Sequence, residues 1–227
     1  MVEASDPREA IAQALLQEYK ATVEAIPEMK IAEEDKKKGI IIYTRDLASH
    51  NDTPQFVLKH TAMGVVPEQL CKIMADIRKF QIVNAERVEK YVVLSEGDLP
   101  SGIKTQTYAS HGKGNLVISG RLSLDTKYYF PEQNLFLTSS RENQAIRQEY
   151  RAAHKKETDP LTEAFTILFA QHFKPVLDGD GKVVGTEIVQ VVATEMGGSV
   201  PLWMIRKMAP KVMPDIIEGL IAESKKA

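Results

Sequence analysis

The stretch EIVQVVATEMGGSVPLWMIRKM, residues 187–208, passes from a strand into a helix and decides how the rest of the chain is read. Its first part is rich in β-branched residues, and Gly197-Gly198 interrupt it where a turn often needs positive φ. Ser199 is placed to cap the helix that follows, with Pro201 in its first turn. Plotted at about 100° per residue, Leu202, Ile205, Ala209, Val212, Met213, Ile216 and Leu220 fall on one side, and Lys207, Lys211 and Glu218 fall opposite. Residues 199–226 are therefore expected to form one long amphipathic helix. Pro210 and Pro214 lie inside it and should bend it, because each removes a backbone hydrogen bond and crowds the preceding turn.

Upstream of this stretch the signals are those of short strands in succession. IIIYTRDL (40–47) and QFVLKHTAMGVV (55–66) flank the turn-forming ASHNDTP, and RVEKYVVLSE (87–96), IKTQTYASHG (103–112), NLVISGRLSLDTKYYF (115–130) and NLFLTSS (134–140) follow. EAFTILFAQHFKPV (163–176) and GTEIVQVVATEM (185–196) flank DGDGK. Tight turns between consecutive strands imply an antiparallel sheet. Two short helices interrupt the series, one opened by Pro67 with Leu70, Ile73, Met74 and Ile77 on a face, the other near Phe80, Ile82 and Val83. Ahead of everything lies an amphipathic helix capped at Asp6-Pro7, with Ile11, Leu15, Tyr19, Val23 and Ile26 in phase. EEDKKKG (33–39) reads as a solvated charged loop. RENQAIRQEYRAAHKKETDP (141–160) is the most polar part of the chain and is left unplaced between loop and helical turn.

Composition narrows the function classes. The chain has 227 residues, 43% hydrophobic and 26% charged, a globular balance with no linker, so one domain over 1–227 is expected. It divides into helix and charged loop (1–38), sheet with inserted helices (39–196) and terminal helix (199–226). Its 29 basic and 31 acidic residues leave a net charge of -2, which offers no field to attract nucleic acid. A single cysteine, Cys71, rules out an internal disulfide and a cysteine-built zinc site and suits the cytoplasm. The acidic opening MVEASDPREA does not read as a secretion signal, Val2 stands where myristoylation needs glycine, SKKA is no prenylation box, and no long apolar run spans a membrane. Membrane contact is expected to be peripheral and transient.

The search for bond-making chemistry finds no catalytic set. Five histidines (His50, His60, His111, His154, His172) are scattered without metal-ligand spacing, so no metal is expected. DGDG (178–181) lacks the glutamate that closes a calcium loop, with Val189 in that position. GKGNLV (112–117) lies between strands and lacks the third glycine of a dinucleotide fingerprint, and GGSVP (197–201) lacks the last glycine of a nucleophile elbow. No cofactor is expected. What stands out is methionine in the last helix, Met204, Met208 and Met213, a side chain that repacks around varied apolar shapes.

The order of these elements, closed by Glu195, Gly197, Gly198, Pro201 and Trp203, resembles the START family, the steroidogenic-acute-regulatory-related lipid-transfer domains. VLKHTAMGVVPEQLCKIMAD (57–76) is similar to that family's strand leading into its first inserted helix. The resemblance implies an α+β helix-grip fold: a curved antiparallel sheet wrapped around the long C-terminal helix, with an N-terminal helix and two short inserted ones. It further implies an internal tunnel for one sterol, phospholipid, ceramide or fatty-acyl lipid, the last helix acting as floor or lid. S-G-R-L (119–122) stands where the family often has P-R-D-F, with Arg121 as the counterpart of its arginine. The acidic residue that sterol-binding members carry on the preceding strand has no counterpart in IKTQTYASHG.

On this reading Ile205, Met208, Ala209, Val212, Met213 and Ile216 form the ligand-facing side of the lid. Arg121, Tyr108 and His172 are the polar groups expected to orient a headgroup. The partners expected are an apolar small molecule and, in passing, a membrane, with the protein a monomer. Two other readings share the scaffold. A cyclase- or aromatase-like enzyme would need an acid or base inside the cavity, and a sensor would couple the ligand to a protein contact.

Overall fold

The computed structural model describes residues 6–114 and 118–226. Helix α1 (Pro7–Glu24) begins as its sequence requires: the Asp6 side chain accepts from the Arg8 backbone N–H at 2.9 Å, and Pro7 sits where no N–H is needed. Two strands follow, β1 (Lys30–Asp35) and β2 (Ile40–Leu47). β1 corrects the expectation of a charged loop, since 33–35 pair with 40–42 as an exposed edge. An edge strand needs only a partner on one side, and its charges face water.

Then come β3 (Thr53–Met63), the inserted helices α2 (Pro67–Ala75) and α3 (Ile77–Val83), β4 (Val88–Asp98), β5 (Lys104–Gly112) and β6 (Arg121–Phe130). β6 starts six residues later than its sequence suggests; 115–117 lie outside the described residues, and 118–120 are irregular. After β7 (Leu135–Ser139) the polar stretch resolves into α4 (Gln144–Ala153) and the single turn α5 (Lys155–Thr158). β8 (Thr162–Glu163), β9 (Phe165–Leu177), β10 (Val183–Glu195) and α6 (Leu202–Ser224) complete the chain.

The strands form one curved sheet in the order β1-β2-β3-β10-β9-β7-β6-β5-β4, antiparallel throughout except for β8, which pairs parallel to β6. The long β9–β10 hairpin turns at Asp178, whose carboxylate accepts from the backbone N–H groups of Asp180 (3.0 Å) and Lys182 (2.9 Å). DGDGK is thus a turn. Alternation along each strand sends one set of side chains to α1 and the other to α6. On the α1 side Leu15 and Tyr19 pack with Val57, Leu137, Ala170, Val189 and Val191. On the α6 side Met213, Ile217 and Leu220 join Leu70, Ile73 and Met74 of α2 over Leu58, Phe136, Phe173 and Ile188. Each of those fully buried α6 side chains stabilises the packed state by roughly 1.5–3 kcal/mol.

The turn before α6 is built from glycine. Gly197 and Gly198 adopt φ of 63° and 62°, and a Cβ on Gly197 would stand 2.0 Å from the Glu163 carbonyl oxygen. The helix itself starts later than expected: Leu202 is its first residue, Pro201 stands at the cap with extended backbone, and no side chain caps it. Ser199 is therefore not the cap. Helical geometry continues through Pro210 and Pro214, which removes the bonds that the Arg206 and Pro210 carbonyls would otherwise accept.

Candidate functional site

The space between the α6 face of the sheet and the helices above it is where a ligand would have to lie. A cavity of about 150 Å³ opens there, lined by Phe80, Tyr91, Tyr108, Asp125, Phe169 and Ile216 among others. A second, of about 200 Å³, lies further along the same strands against Lys127, Gln106, Tyr129 and Phe136. Part of their polar lining comes from β5 and β6 in register: Tyr108 is the cross-strand partner of Asp125, and Gln106 that of Lys127.

Asp125 is buried, and Ser140 Oγ donates to its Oδ1 at 2.5 Å. Burial pushes its carboxyl above the ordinary range, opposed by the hydrogen bonds from Ser140 and Thr166 and by the positive charge of Arg147. Burial likewise raises the Tyr108 phenol. Lys127 is 5% exposed, and its Nζ donates to the Met74 carbonyl at 2.6 Å. Loss of solvation lowers its ammonium to about 8, with the charges of Glu96 and Asp76 acting the other way.

From the wall of the second cavity the sheet carries a row of directly paired residues: Tyr129, Phe136, Gln171, Gln190, Leu58 and Ile42. Tyr129 and Phe136 stack at 4.2 Å. Gln171 and Gln190 are fully buried, and neither the nitrogen nor the oxygen of either side-chain amide meets a hydrogen-bond partner in the protein. Their neighbours along the strands are the pairs Phe173–Ile188 and Phe169–Val192, so the amides are enclosed by apolar surface. Each such orphaned group costs about 1–3 kcal/mol.

The residues named from sequence are dispersed over this geometry. Tyr108 and Ile216 line the 150 Å³ cavity, while Ile205 and Ala209 pack against the core beside it. Met213 is enclosed in that core, Val212 is half-buried, and Met208 is 47% exposed on the outer side of α6. Met208 is thus no part of the ligand-facing side, because the helix presents Pro210, Met213, Ile217 and Leu220 inward. His172 is corrected too. It shares its face of β9 with Leu168 and Ala170, against α1, and its Nδ1 lies 2.8 Å from Tyr19 Oη. Its pKa is lowered to about 4, first by burial and then by the nearby charge of Lys174. Arg121 braces the turn before α6: its guanidinium donates to the carbonyls of Met196 and Ser119, both at 2.6 Å. It borders a depression of about 420 Å³ shared with Pro201 and Met204 at the head of α6.

Among the described residues no group of three or more histidine, cysteine, aspartate or glutamate side chains gathers to hold a metal, and no helix is long and apolar enough to cross a membrane. Neither the family models nor the curated proteins match this sequence. Solved structures do. Human StAR-related lipid transfer protein 5 superposes with a TM-score of 0.72 at 12% identity, covering 96% of each chain. Human STARD10 gives 0.68 at 12% identity over 97% of this chain and 81% of its own. A STAR-related lipid transfer protein from Xanthomonas axonopodis gives 0.59 at 14% identity over 87% of this chain and 98% of its own.

This chain has the START helix-grip fold. At such identities the likeness is one of fold, and the residues within the grip are this chain's own. Within the START frame, Asp125, Lys127, Gln171 and Gln190 are the residues that sequence reasoning missed. Their signal was faint: polar residues alternating with Leu122, Leu124 and Ala170 look like the wet side of a half-buried strand. Only α6 and α2 closing over that side turns it into an interior.

Proposed function

We propose that this protein binds one lipid between the sheet and α6, as a single domain over 1–227 that acts in the cytoplasm as a monomer and meets membranes only in passing. The observation that carries the reading is the 150 Å³ cavity under α6, where Phe80, Tyr91, Phe169 and Ile216 supply apolar wall and Asp125, Tyr108, Asn84 and the hydroxyls of Ser110, Thr138, Thr166 and Thr194 supply polar groups. That mixture suits an amphipathic molecule, with the polar end toward these groups and the hydrocarbon toward the aromatic and aliphatic wall. Similarity of fold to lipid-transfer proteins supports the same reading. A bound lipid would enlarge the space by displacing flexible side chains, and α6, with two backbone bonds removed by proline, is the cover that would have to move.

The test is mass spectrometry of lipid extracted from the purified protein, followed by transfer of the identified lipid between donor and acceptor vesicles. One lipid per chain is expected. Protein that carries none, and takes up none from vesicles, would end the reading.

One observation favours a second reading, an enzyme on the same scaffold. Asp125 is a buried acid of raised pKa facing the cavity, the kind of group that proton transfer requires. Conversion of a bound ligand that stops in Asp125→Asn, with binding retained, would establish it; an unchanged ligand would remove it.

A further inference from the structure

We propose that Gln171 and Gln190 together form the anchor for the polar end of the ligand, and that this end is uncharged and carries a hydrogen-bond donor and an acceptor side by side. This rests on the lipid-binding reading and deepens it. The two side chains are cross-strand partners on β9 and β10, both 0% exposed, and both face the α6 side of the sheet. All four of their amide heteroatoms lack a partner, although each carboxamide can donate twice and accept twice.

Two features bring them to the ligand. Phe136, the cross-strand partner of Gln171, walls the 200 Å³ cavity, and Phe169, two residues along β9, walls the 150 Å³ one. Turning either ring aside would join that cavity to the surface of the amide pair. A hydrocarbon chain lying along the joined space would bring its polar end over the glutamines.

The inventory of donors and acceptors sets the chemistry. With all four heteroatoms unpartnered, both amide N–H₂ groups and both carbonyls are open, and a ligand must both accept and donate to satisfy them. A secondary amide does so through its C=O and N–H, and an alcohol does so through its single oxygen. An ester can only accept and leaves a glutamine carbonyl orphaned. A carboxylate or phosphate would bring a charge beside two neutral amides; the row that holds them, with Tyr129, Phe136, Leu58 and Ile42, carries no cation, and Lys127 on the wall of the 200 Å³ cavity already donates to the Met74 carbonyl.

Four probes of one chain length separate these cases: N-methylpalmitamide, hexadecanol, methyl palmitate and palmitate. Their dissociation constants would be measured on the whole protein and on Gln171→Met/Gln190→Met, which keeps side-chain length and removes the amides. The amide and the alcohol are expected to bind the wild type about tenfold or more tighter than the methyl ester, because a buried acceptor left unpaired weakens binding by that order. In the double variant that preference disappears, and the unliganded double variant melts at a higher temperature than wild type. A methyl ester or palmitate bound as tightly as the amide, a preference that survives the double substitution, or a double variant that melts lower would each overturn the anchor while leaving lipid binding intact. Failure of all four probes to bind the wild type would overturn the lipid reading itself and the anchor with it.

Discussion

Lys127→Met separates the charge of the buried lysine from its packing. Its ammonium is enclosed by the sheet, α2 and the Tyr108 ring, whose centroid is 6.0 Å away, and its single hydrogen bond runs to the Met74 carbonyl. The drop from the ordinary 10.5 to about 8 corresponds to roughly 3 kcal/mol by which the folded state disfavours the charged form. Methionine keeps the volume and removes the charge, but it leaves the Met74 carbonyl without that donor at about 1–2 kcal/mol. At pH 7 the variant should therefore be more stable by about 1–2 kcal/mol.

The sign changes with pH. Between pH 8 and 10.5 the unfolded chain holds the lysine proton and the folded chain does not, so unfolding takes up a proton and rising pH opposes it. Wild type regains stability through that window, and above it the neutral amine still serves Met74, so the order of the two proteins should reverse. Urea unfolding of both proteins at intervals from pH 7 to 10 reads the difference, in which the tyrosines and Cys71, common to both, cancel. A difference that stays flat across the range would refute the reasoning.

Other perturbations test other parts. Gly197→Ala forces a side chain into left-handed backbone and against the Glu163 carbonyl, and should cost about 3 kcal/mol in urea unfolding. Ala209→Trp adds a large ring to α6 where it lies half-buried over the core and should abolish uptake of lipid from vesicles in a protein that remains folded by circular dichroism; undiminished uptake would remove α6 as the lid. His172 stays neutral in the folded chain down to about pH 4, while in the unfolded chain it takes up a proton near 6.5. Stability should therefore fall with pH across that window, and His172→Leu should lack that part of the fall while binding lipid normally, since the residue lies on the α1 side.

Much of the architecture was legible because it is local. The cap at Asp6, the helix start at Pro67, the DGDGK turn and the paired glycines before α6 are each specified by neighbours a few residues away, and each stands in the structure. What failed was also local in its logic. EED (33–35) has the charges of a solvated loop, yet an edge strand tolerates charges because it exposes them, and its pairing with β2 is a contact that composition does not carry. The stretch 141–160 was too polar to show a core-facing pattern, and Tyr150 is the one α4 residue that is buried.

The sequence by itself determined the order and kind of most of the elements, β1, β8 and the helices within 141–160 excepted, and the two-residue alternation that puts Gln171 with Phe169 and Phe173, and His172 with Leu168 and Ala170. Only the tertiary structure decided which of those two sets lies beneath α6. That choice rests on pairings between distant strands, β3 with β10 and β7 with β9, and on α6 and α2 closing over one side of the sheet after those pairings are made. The physical reason is that a strand's period says which side chains share a face but is silent on what covers it. For that reason His172, conspicuous in the sequence, serves the α1 side, while two glutamines that look ordinary in the sequence end as unpaired amides inside the grip.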